Sequence, residues 1–189
     1  MLVMIGASAS GKTEIVKILI KKYGFNKLVT YTTREMRVGE VDGIDYHFIS
    51  LKEFEIKKKK REFLETAQYN NTFYGSPKKG ADENKVIIVE PKGANSIFRK
   101  NIPKTIFIYL ETDQLIRRVR MLNRGDKLED VEARFIKDKK HFRKSKFTHL
   151  DHIVNTSSHT LDELAEKIYT LYKNDITNHD WKVLVFLLS

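Results

Sequence analysis

The sequence predicts an α/β fold in which a parallel sheet carries helices on both faces. Short apolar runs that fit buried strands alternate along the chain with longer segments whose apolar residues have helical spacing. The chain has 189 residues, 41% of them hydrophobic and 32% charged, which is enough for one folded domain with a substantial core. A segment rich in glycine and serine joins the first strand to the first helix. Strands alternating with helices favour a parallel sheet over an antiparallel one.

That joining segment, Gly6–Thr13, fits G-x-x-x-x-G-K-[ST], the pattern of a phosphate-binding loop (P-loop). Met1–Ile5 before it is an apolar run that predicts a buried strand, and Glu14–Tyr23 after it predicts a helix. Glycines let the backbone curl so that its N–H groups converge on phosphate oxygens, and the helix N-terminus adds a positive dipole end. We expect Lys12 to reach the outer phosphates of a nucleotide and the Thr13 hydroxyl to ligate Mg²⁺. The expected ATP-binding residues here are Gly6, Ala7, Ser8, Ala9, Ser10, Gly11, Lys12 and Thr13. The alternative is a glycine and serine turn that fits the pattern by chance.

The amino-acid composition indicates which binding partners and which cellular compartment to expect. The formal net charge of +10 favours polyanionic ligands such as nucleotides, nucleic acid or an anionic surface. We expect no nucleic-acid partner, because the basic run Lys57–Arg61 lacks interleaved aromatic residues and fits a solvated face better. We expect no membrane segment, since the longest apolar run, Val183–Leu188, is too short to span a bilayer. We expect no secretion signal, because no basic region precedes a long apolar run at the N-terminus. The absence of cysteine excludes disulfides and thiolate metal sites and fits a reducing cytoplasm.

Residues 32–82 predict a small β-rich lobe inserted into the core. Within this lobe, Arg34 and Arg37 with nearby Tyr46 could clamp a second phosphate, a task that suits the planar fork of arginine. The predicted elements in this region are a strand at Lys27–Tyr31, turns at Gly39 and Asp42-Gly43, a helix after the capping box Ser50–Glu53, a strand at Phe63–Tyr69, a turn at Asn70–Thr72 and a closing segment at Phe73–Pro77.

The second half of the chain predicts the rest of the core. In order, we expect a buried strand at Lys85–Glu90, a helix at Gly93–Lys100, a strand at Thr105–Leu110, a helix capped by Thr112, a helix after a capping box at Asp126–Glu129, a strand at Asp151–Asn155 and a helix after the capping box Thr160–Glu163. On the helix after Thr112, the expected buried face consists of Leu115, Ile116, Val119 and Leu122. The apolar tail 174–189 is expected to pack on the domain or on a second copy, which leaves monomer and homodimer both open.

Two motifs outside the P-loop carry a more specific resemblance. They are Thr32-Thr33-Arg34-x-x-Arg37-x-Gly39-Glu40-x-x-Gly43-x-Asp45-Tyr46-x-Phe48 and Glu65-Thr66-Ala67-Gln68-Tyr69, which Tyr74-Gly75-Ser76 follows. Together with the P-loop they resemble the guanylate kinase family, and the resemblance runs from Met1 to about Tyr172. It implies a P-loop NTPase-type core that binds ATP, a lobe that binds GMP and a helical lid. The implied core is 1–31, 83–123 and 146–173, the lobe 32–82, the lid 124–145 and a C-terminal extension 174–189.

The resemblance also implies an activity, a cofactor and site residues. The implied reaction is Mg²⁺-dependent transfer of the γ-phosphoryl group of ATP to GMP or dGMP. The implied GMP-binding residues are Thr30, Arg34, Arg37, Tyr46, Glu65, Tyr74, Ser76 and Glu90. The implied catalytic residues are Lys12, Arg120, Arg124 and Arg134, and Asn155 matches a position near the base of ATP.

The chemistry of Glu65 fits guanine. Guanine offers adjacent N1–H and N2–H donors that one carboxylate can accept, whereas adenine presents an acceptor at N1. One position departs from the family pattern, because Ile88 stands where the first of two acidic residues is usual and Glu90 keeps only the second. Two other functions stay open: a catalytically weak domain that binds phosphorylated partners, and a kinase for another phosphorylated acceptor. The intact P-loop argues against the first, and Glu65 argues against the second.

Overall fold

The computed structural model of the protein describes residues 1–37, 39–69 and 72–188, without the side chains of residues 69 and 179–188. The strands are β1 Leu2–Gly6, β2 Asn26–Lys27, β3 Tyr31–Thr32, β4 His47–Phe48, β5 Phe63–Tyr69, β6 Thr72–Pro77, β7 Lys85–Ile88, β8 Ile106–Glu111 and β9 His152–Asn155. The helices are α1 Lys12–Tyr23, α2 Leu51–Lys59, α3 Pro91–Phe98, α4 Gln114–Asn123, α5 Leu128–His141 and α6 Leu161–Leu188, with a 3-10 turn at Lys144–Lys146.

The core sheet has five parallel strands in the order β2-β7-β1-β8-β9. The side chains of central strand β1 alternate between two hydrophobic clusters. Leu2 and Met4 pack with residues of α1 and α6 on one face, while Val3 and Ile5 pack with residues of α3 on the other. The predicted parallel sheet with helices on both faces is confirmed, and it brings the carboxyl end of β1 directly into the P-loop.

The second sheet has four strands in the order β4-β3-β6-β5, with β3 and β4 parallel and the other pairs antiparallel. The predicted single strand at Lys27–Tyr31 is wrong. The N–H of Leu28 still bonds the Val86 carbonyl of the core at 3.0 Å, whereas Tyr31 already pairs with Gly75 of β6. The chain therefore leaves one sheet and enters the other between these residues. The turn predicted at Asn70–Thr72 falls largely outside the described residues, and Thr72 already belongs to β6.

Helix α4 buries a different face from the predicted one. Leu115, Val119 and Leu122 are 71%, 54% and 42% exposed, whereas Arg117 and Met121 are buried. The helix is also capped by Asp113, whose carboxylate accepts the Leu115 N–H at 2.7 Å, and not by Thr112. The sequence pattern was misleading because an arginine occupies the face that packs inward.

Two of the three predicted capping boxes are confirmed. In both, a hydroxyl and the glutamate three residues later exchange hydrogen bonds with the backbone, at Ser50 for α2 and at Thr160 for α6. The third is wrong, because Lys127 precedes α5 without a side-chain cap and Asp126 instead binds Arg124 and Arg134.

The final helix, α6, continues to Leu188, and its first half packs on α1 through residues such as Leu164 and Ile168. Whether the apolar tail packs on the domain or on a second copy lies outside the described side chains. Among residues 1–37, 39–69 and 72–188 we find no helix with both the length and the apolar character that a membrane crossing requires.

Candidate active site

The P-loop folds tightly between β1 and α1 and depends on two glycines. A Cβ atom on Gly6 would lie 2.6 Å from Ser10 Oγ and 3.0 Å from the Leu110 carbonyl oxygen, which leaves no room for a side chain. Gly11 has a φ of +94°, a left-handed conformation that favours glycine. The conformation brings the loop carbonyl groups of Gly6 and Ala7 towards the first turn of α1.

Lys12 folds back onto this loop. Its Nζ donates to the carbonyl oxygens of Gly6 at 2.6 Å and Ala7 at 2.7 Å, and to Ser10 Oγ at 3.2 Å. Burial lowers the pKa of Lys12 to about 8, and the nearby carboxylate of Asp138 opposes that shift. A flexible ammonium held by neutral carbonyls can exchange those partners for phosphate oxygens, which attract it more strongly.

The loop is supported from behind by a hydroxyl pair and an arginine. The fully buried Thr156 hydroxyl donates to the Ser10 carbonyl at 3.3 Å and lies 2.6 Å from the Thr112 hydroxyl. Arg120 on α4 donates to the Ala9 carbonyl at 3.3 Å and to the Thr156 carbonyl at 3.1 Å. The structure thus places Arg120 against the P-loop, where its charge can act on a bound phosphate.

A second arginine of α4, Arg117, also binds the loop. Arg117 Nε donates to the Ser8 carbonyl at 2.7 Å, and its guanidinium also binds the Asp138 carboxylate. Asp138, on α5, accepts the Ser8 N–H at 2.9 Å. One residue of the P-loop is therefore bound by side chains from two different helices.

The second sheet presents an arginine among aromatic rings and a carboxylate. Arg34 donates twice to Glu40, at 2.6 Å and 2.8 Å, and its guanidinium carbon lies 5.6 Å from the ring centroids of Tyr46 and Phe48. The Tyr46 and Tyr74 rings are 5.9 Å apart. The hydrogen bonds from Arg34 hold the pKa of Glu40 below its usual value. Nη2 of Arg34 donates to both oxygens of Glu40, so an anionic group already lies against this guanidinium.

Glu65 and Ser76 face each other across β5 and β6 in register. The Ser76 hydroxyl donates to Glu65 Oε1 at 2.5 Å, and burial raises the pKa of Glu65 with a smaller contribution from the charge of Glu90. A Cβ atom on Gly93 of α3 would lie 3.4 Å from Glu65 Oε2, so the missing side chain brings the core close to this carboxylate. The charge of Glu90 also raises the pKa of Lys12, against the larger effect of burial.

The sequence profile described as guanylate kinase matches residues 1–174. The chain belongs to the guanylate kinase family. It is 40% identical to the guanylate kinase of Clostridioides difficile over 146 residues, which cover 71% of this chain and 70% of that protein. It is 36% identical to the guanylate kinase of Helicobacter pylori strain 26695 over 147 residues, which cover 72% of this chain and 70% of that protein. The crystal structure of guanylate kinase from Anaplasma phagocytophilum superposes with a TM-score of 0.62 at 21% identity, covering 93% of this chain and 85% of that one, which shows the shared fold.

The structure brings some of the residues expected from the guanylate kinase family together and leaves others apart. Lys12, Ser8, Ser10 and Arg120 meet at the loop, and Arg34, Tyr46 and Tyr74 meet on the second sheet. Arg124 and Arg134 both bind Asp126, just before α5, at 3.0 Å and 3.1 Å, and among the described residues neither makes a hydrogen bond to the P-loop. Asn155, at the end of β9, accepts the Ser157 N–H at 2.8 Å. Thr30 and Arg37 contribute backbone contacts, and the side chain of Arg37 is exposed.

Four residues that support the loop were not predicted to lie in the site: Thr112, Arg117, Asp138 and Thr156. No pattern in the sequence distinguishes Arg117 from its neighbours Arg118 and Arg120. Asp138 gave no signal, because nothing in the pattern of α5 indicates which polar residue faces the core.

The donor set for a metal is modest. Within the described part of the chain there is no group of three or more histidine, cysteine, aspartate or glutamate side chains that could hold a metal ion. Thr13 is exposed on the first turn of α1, next to Lys12, so its hydroxyl is accessible to an ion at the loop. Mg²⁺ accepts few protein ligands and takes the remaining oxygens from phosphates and water, so this arrangement fits a metal that arrives with ATP.

Proposed function

We propose that this protein transfers the γ-phosphoryl group of ATP to GMP or dGMP, giving ADP and GDP or dGDP. Guanylate kinases are nucleotide kinases that in general need Mg²⁺ with ATP, and membership of the family supports both substrates and the ion. The observation that carries the proposal is the partly buried carboxylate of Glu65, which Ser76 holds and Gly93 of the core approaches. In this position it can accept hydrogen bonds from the N1–H and N2–H of guanine, and other bases do not offer that pair of donors.

The acceptor phosphate belongs at Arg34. When GMP binds, its phosphate would take the place of the Glu40 carboxylate at the guanidinium, or share the guanidinium with it. Tyr46 and Tyr74 border this position and offer hydroxyl donors to phosphate oxygens. We assign residues 32–82 as the GMP-binding lobe on this basis, with residues 124–145 as the lid and residues 174–189 as an extension.

Chemistry in such a site needs no general base, because the attacking oxygen of GMP is already ionised. That oxygen forms a bond to the γ-phosphorus while the bond to the bridging oxygen breaks, and ADP leaves with the electron pair. Lys12 and Arg120 would stabilise the negative charge as it spreads over the transferring group. Mg²⁺, held by Thr13, phosphates and water, supplies additional charge neutralisation when it is bound.

The two lid arginines, Arg124 and Arg134, enter this proposal only in the nucleotide-bound protein. Arg124 and Arg134 are paired with Asp126, whose pKa is held low mainly by the hydrogen bond from Arg124. Both side chains are about half exposed, at 48% and 45%. We assign them to the transferring phosphates in the nucleotide-bound protein, where phosphate would compete with Asp126 for the guanidinium groups.

The test is ADP release from ATP and Mg²⁺ with GMP, dGMP, AMP, CMP or UMP as acceptor, with Lys12→Ala as the control. Turnover with GMP and dGMP alone, abolished in the control, is the expected result. No turnover with any acceptor while GMP still binds would favour the catalytically weak binding domain. Turnover with another acceptor alone would overturn the assignment of Glu65.

Compartment and assembly also remain proposals. We place the activity in the cytoplasm, which suits a chain without cysteine. We propose that the chain works as a monomer or homodimer, and light scattering during size exclusion would distinguish the two.

A further inference from the structure

Ser8 of the P-loop is bound by a carboxylate from a helix far along the chain. Asp138 Oδ2 accepts the Ser8 N–H at 2.9 Å, and Oδ1 lies 3.4 Å from the Ser8 hydroxyl. The Asp138 side chain is 7% exposed. Backbone N–H groups of a phosphate-binding loop are donors for anions. A carboxylate of the protein therefore occupies one such donor in the nucleotide-free structure.

Arg117 completes this contact from helix α4. Its guanidinium binds both the Ser8 carbonyl and Asp138, and it lies 4.9 Å from the centroid of the Phe135 ring of α5. Both charged side chains are buried, so neither can easily exchange its partner for water. The N–H and the carbonyl of Ser8 are thus both bound by this pair.

Few apolar contacts besides the Arg117–Asp138 pair hold α5 against the core. The buried apolar cluster between α4 and α5 consists of Met121, Val131 and Phe135, and Ala9 of the loop packs against it. A cavity of about 380 Å³ lies beside the pair and is lined by residues that include Ala7, Tyr109 and Phe142. Because the contact between α5 and the core is small and incompletely packed, the polar pair contributes a large share of it.

We propose that Arg117 and Asp138 form a latch that docks helix α5 of the lid onto the P-loop before nucleotide binds. A terminal phosphate of ATP then replaces the Asp138 carboxylate at the Ser8 N–H, and α5 stays beside the loop, where Arg134 can reach the phosphates. Asp138 holds a loop N–H that a phosphate oxygen would otherwise accept, and its charge repels the phosphates. Arg117 is a positioning residue that neutralises Asp138 and holds the Ser8 carbonyl. The inference rests on the proposed function in taking ATP as the ligand of the loop.

The latch predicts opposite effects for its two members. Without the charge of Asp138, the guanidinium of Arg117 stays beside the loop and can meet phosphate directly, so ATP should bind more tightly. Without Arg117, the carboxylate of Asp138 stays buried and unpaired beside the loop, so ATP should bind more weakly. Either change should loosen α5 in the nucleotide-free protein.

The experiment uses the full chain and the variants Asp138→Asn, Arg117→Met and the double variant. Hydrogen exchange of residues 128–141 is measured without nucleotide, and the Kd of a non-hydrolysable ATP analogue is measured by calorimetry. Asp138→Asn should exchange about tenfold faster in α5 and bind the analogue about three- to tenfold more tightly. Arg117→Met should also exchange faster but bind the analogue more weakly, and the double variant should recover affinity relative to Arg117→Met.

Asp130→Asn is the matched control, because Asp130 is an exposed aspartate on the same helix. It should change neither measurement. In Asp138→Asn, KM for ATP should fall together with the Kd of the analogue, whereas a merely structural role would raise KM or leave it unchanged.

Unchanged exchange in α5, or weaker ATP binding by Asp138→Asn, would overturn the latch. Asp138→Glu, which keeps the charge but moves the carboxylate by one methylene, is the second variant if Asp138→Asn does not fold, and it too should speed exchange. If the wild-type protein does not bind the analogue at all, the proposed function fails. The hydrogen-exchange data still test whether Arg117 and Asp138 dock α5 on the P-loop.

Discussion

The Ser76 hydroxyl donates a hydrogen bond of 2.5 Å to Oε1 of Glu65, across adjacent strands of the second sheet. Burial raises the pKa of that carboxyl, so the charged form of Glu65 is less stable in the folded protein than in the unfolded chain. A guanine base would supply the two donors that offset this cost. The residue that we assign to base recognition is therefore expected to destabilise the nucleotide-free protein.

We expect Glu65→Gln to raise the free energy of unfolding at neutral pH. A carboxyl with a raised folded pKa binds more protons in the folded state, so its destabilising effect is complete above the folded pKa. The effect disappears as the pH falls below the unfolded pKa, about 4.3. Urea titrations at several pH values should show the advantage of the variant shrinking towards acid. An advantage that is independent of pH would contradict this account.

The same substitution should impair turnover with GMP. A glutamine can accept only one of the two guanine donors and turns an amide N–H₂ towards the other. A mismatched polar pair costs about 1–3 kcal/mol, so kcat/KM for GMP should fall by about five- to 150-fold. Steady-state assays with GMP test this, and KM for ATP serves as the internal control. Undiminished kcat/KM for GMP would remove Glu65 from the base pocket.

Arg34→Lys should raise KM for GMP by about tenfold and change kcat less. Lysine keeps the charge but lacks the second nitrogen with which Arg34 binds the Glu35 carbonyl and the planar guanidinium that lies near the Tyr46 and Phe48 rings. Arg99→Lys is the control. Arg99 caps the C-terminus of helix α3, and among the described residues its side chain hydrogen-bonds only Ser96. Equal KM values for the two variants would show that Arg34 does not hold the acceptor.

Ile88→Asp tests the departure from the family pattern. Ile88 ends β7 and is 39% exposed, so an aspartate there should be tolerated by the fold. If Thr13, phosphates and water already hold Mg²⁺, turnover at saturating Mg²⁺ should stay within about threefold of the wild type. A much larger gain would mean that the natural site is impaired. Turnover across a Mg²⁺ titration gives the answer.

Thr156→Val should destabilise the protein by about 1–3 kcal/mol, because it leaves the Ser10 carbonyl and the Thr112 hydroxyl without their buried partner. KM for ATP should rise as the P-loop loses this support. Thr177→Val is the control: the exposed Thr177 hydroxyl bonds the Lys173 carbonyl on α6, and its loss should cost less than about 0.5 kcal/mol. Denaturation with urea compares the two variants, and similar losses would argue against a special role for Thr156.

Local sequence patterns were sufficient to predict much of this fold. The P-loop, the alternation of strands and helices and the capping boxes at Ser50 and Thr160 each depend on residues close together in the sequence, so they could be predicted from it. The pairing of Glu65 with Ser76 could be predicted for the same reason, since the two paired strands follow each other in the sequence.

Tertiary structure decided the rest. Only packing showed that Arg117, and not the apolar residues beside it, faces inward from α4, because the buried direction of a helix depends on what lies against it. Only the fold brought Asp138 to Ser8, 130 positions away in the chain. The sequence by itself determined a parallel α/β core with a P-loop and an inserted lobe, since these follow from short-range pattern. The support of the loop by Thr156, Arg117 and Asp138 was decided by contacts between distant segments, which no local pattern encodes.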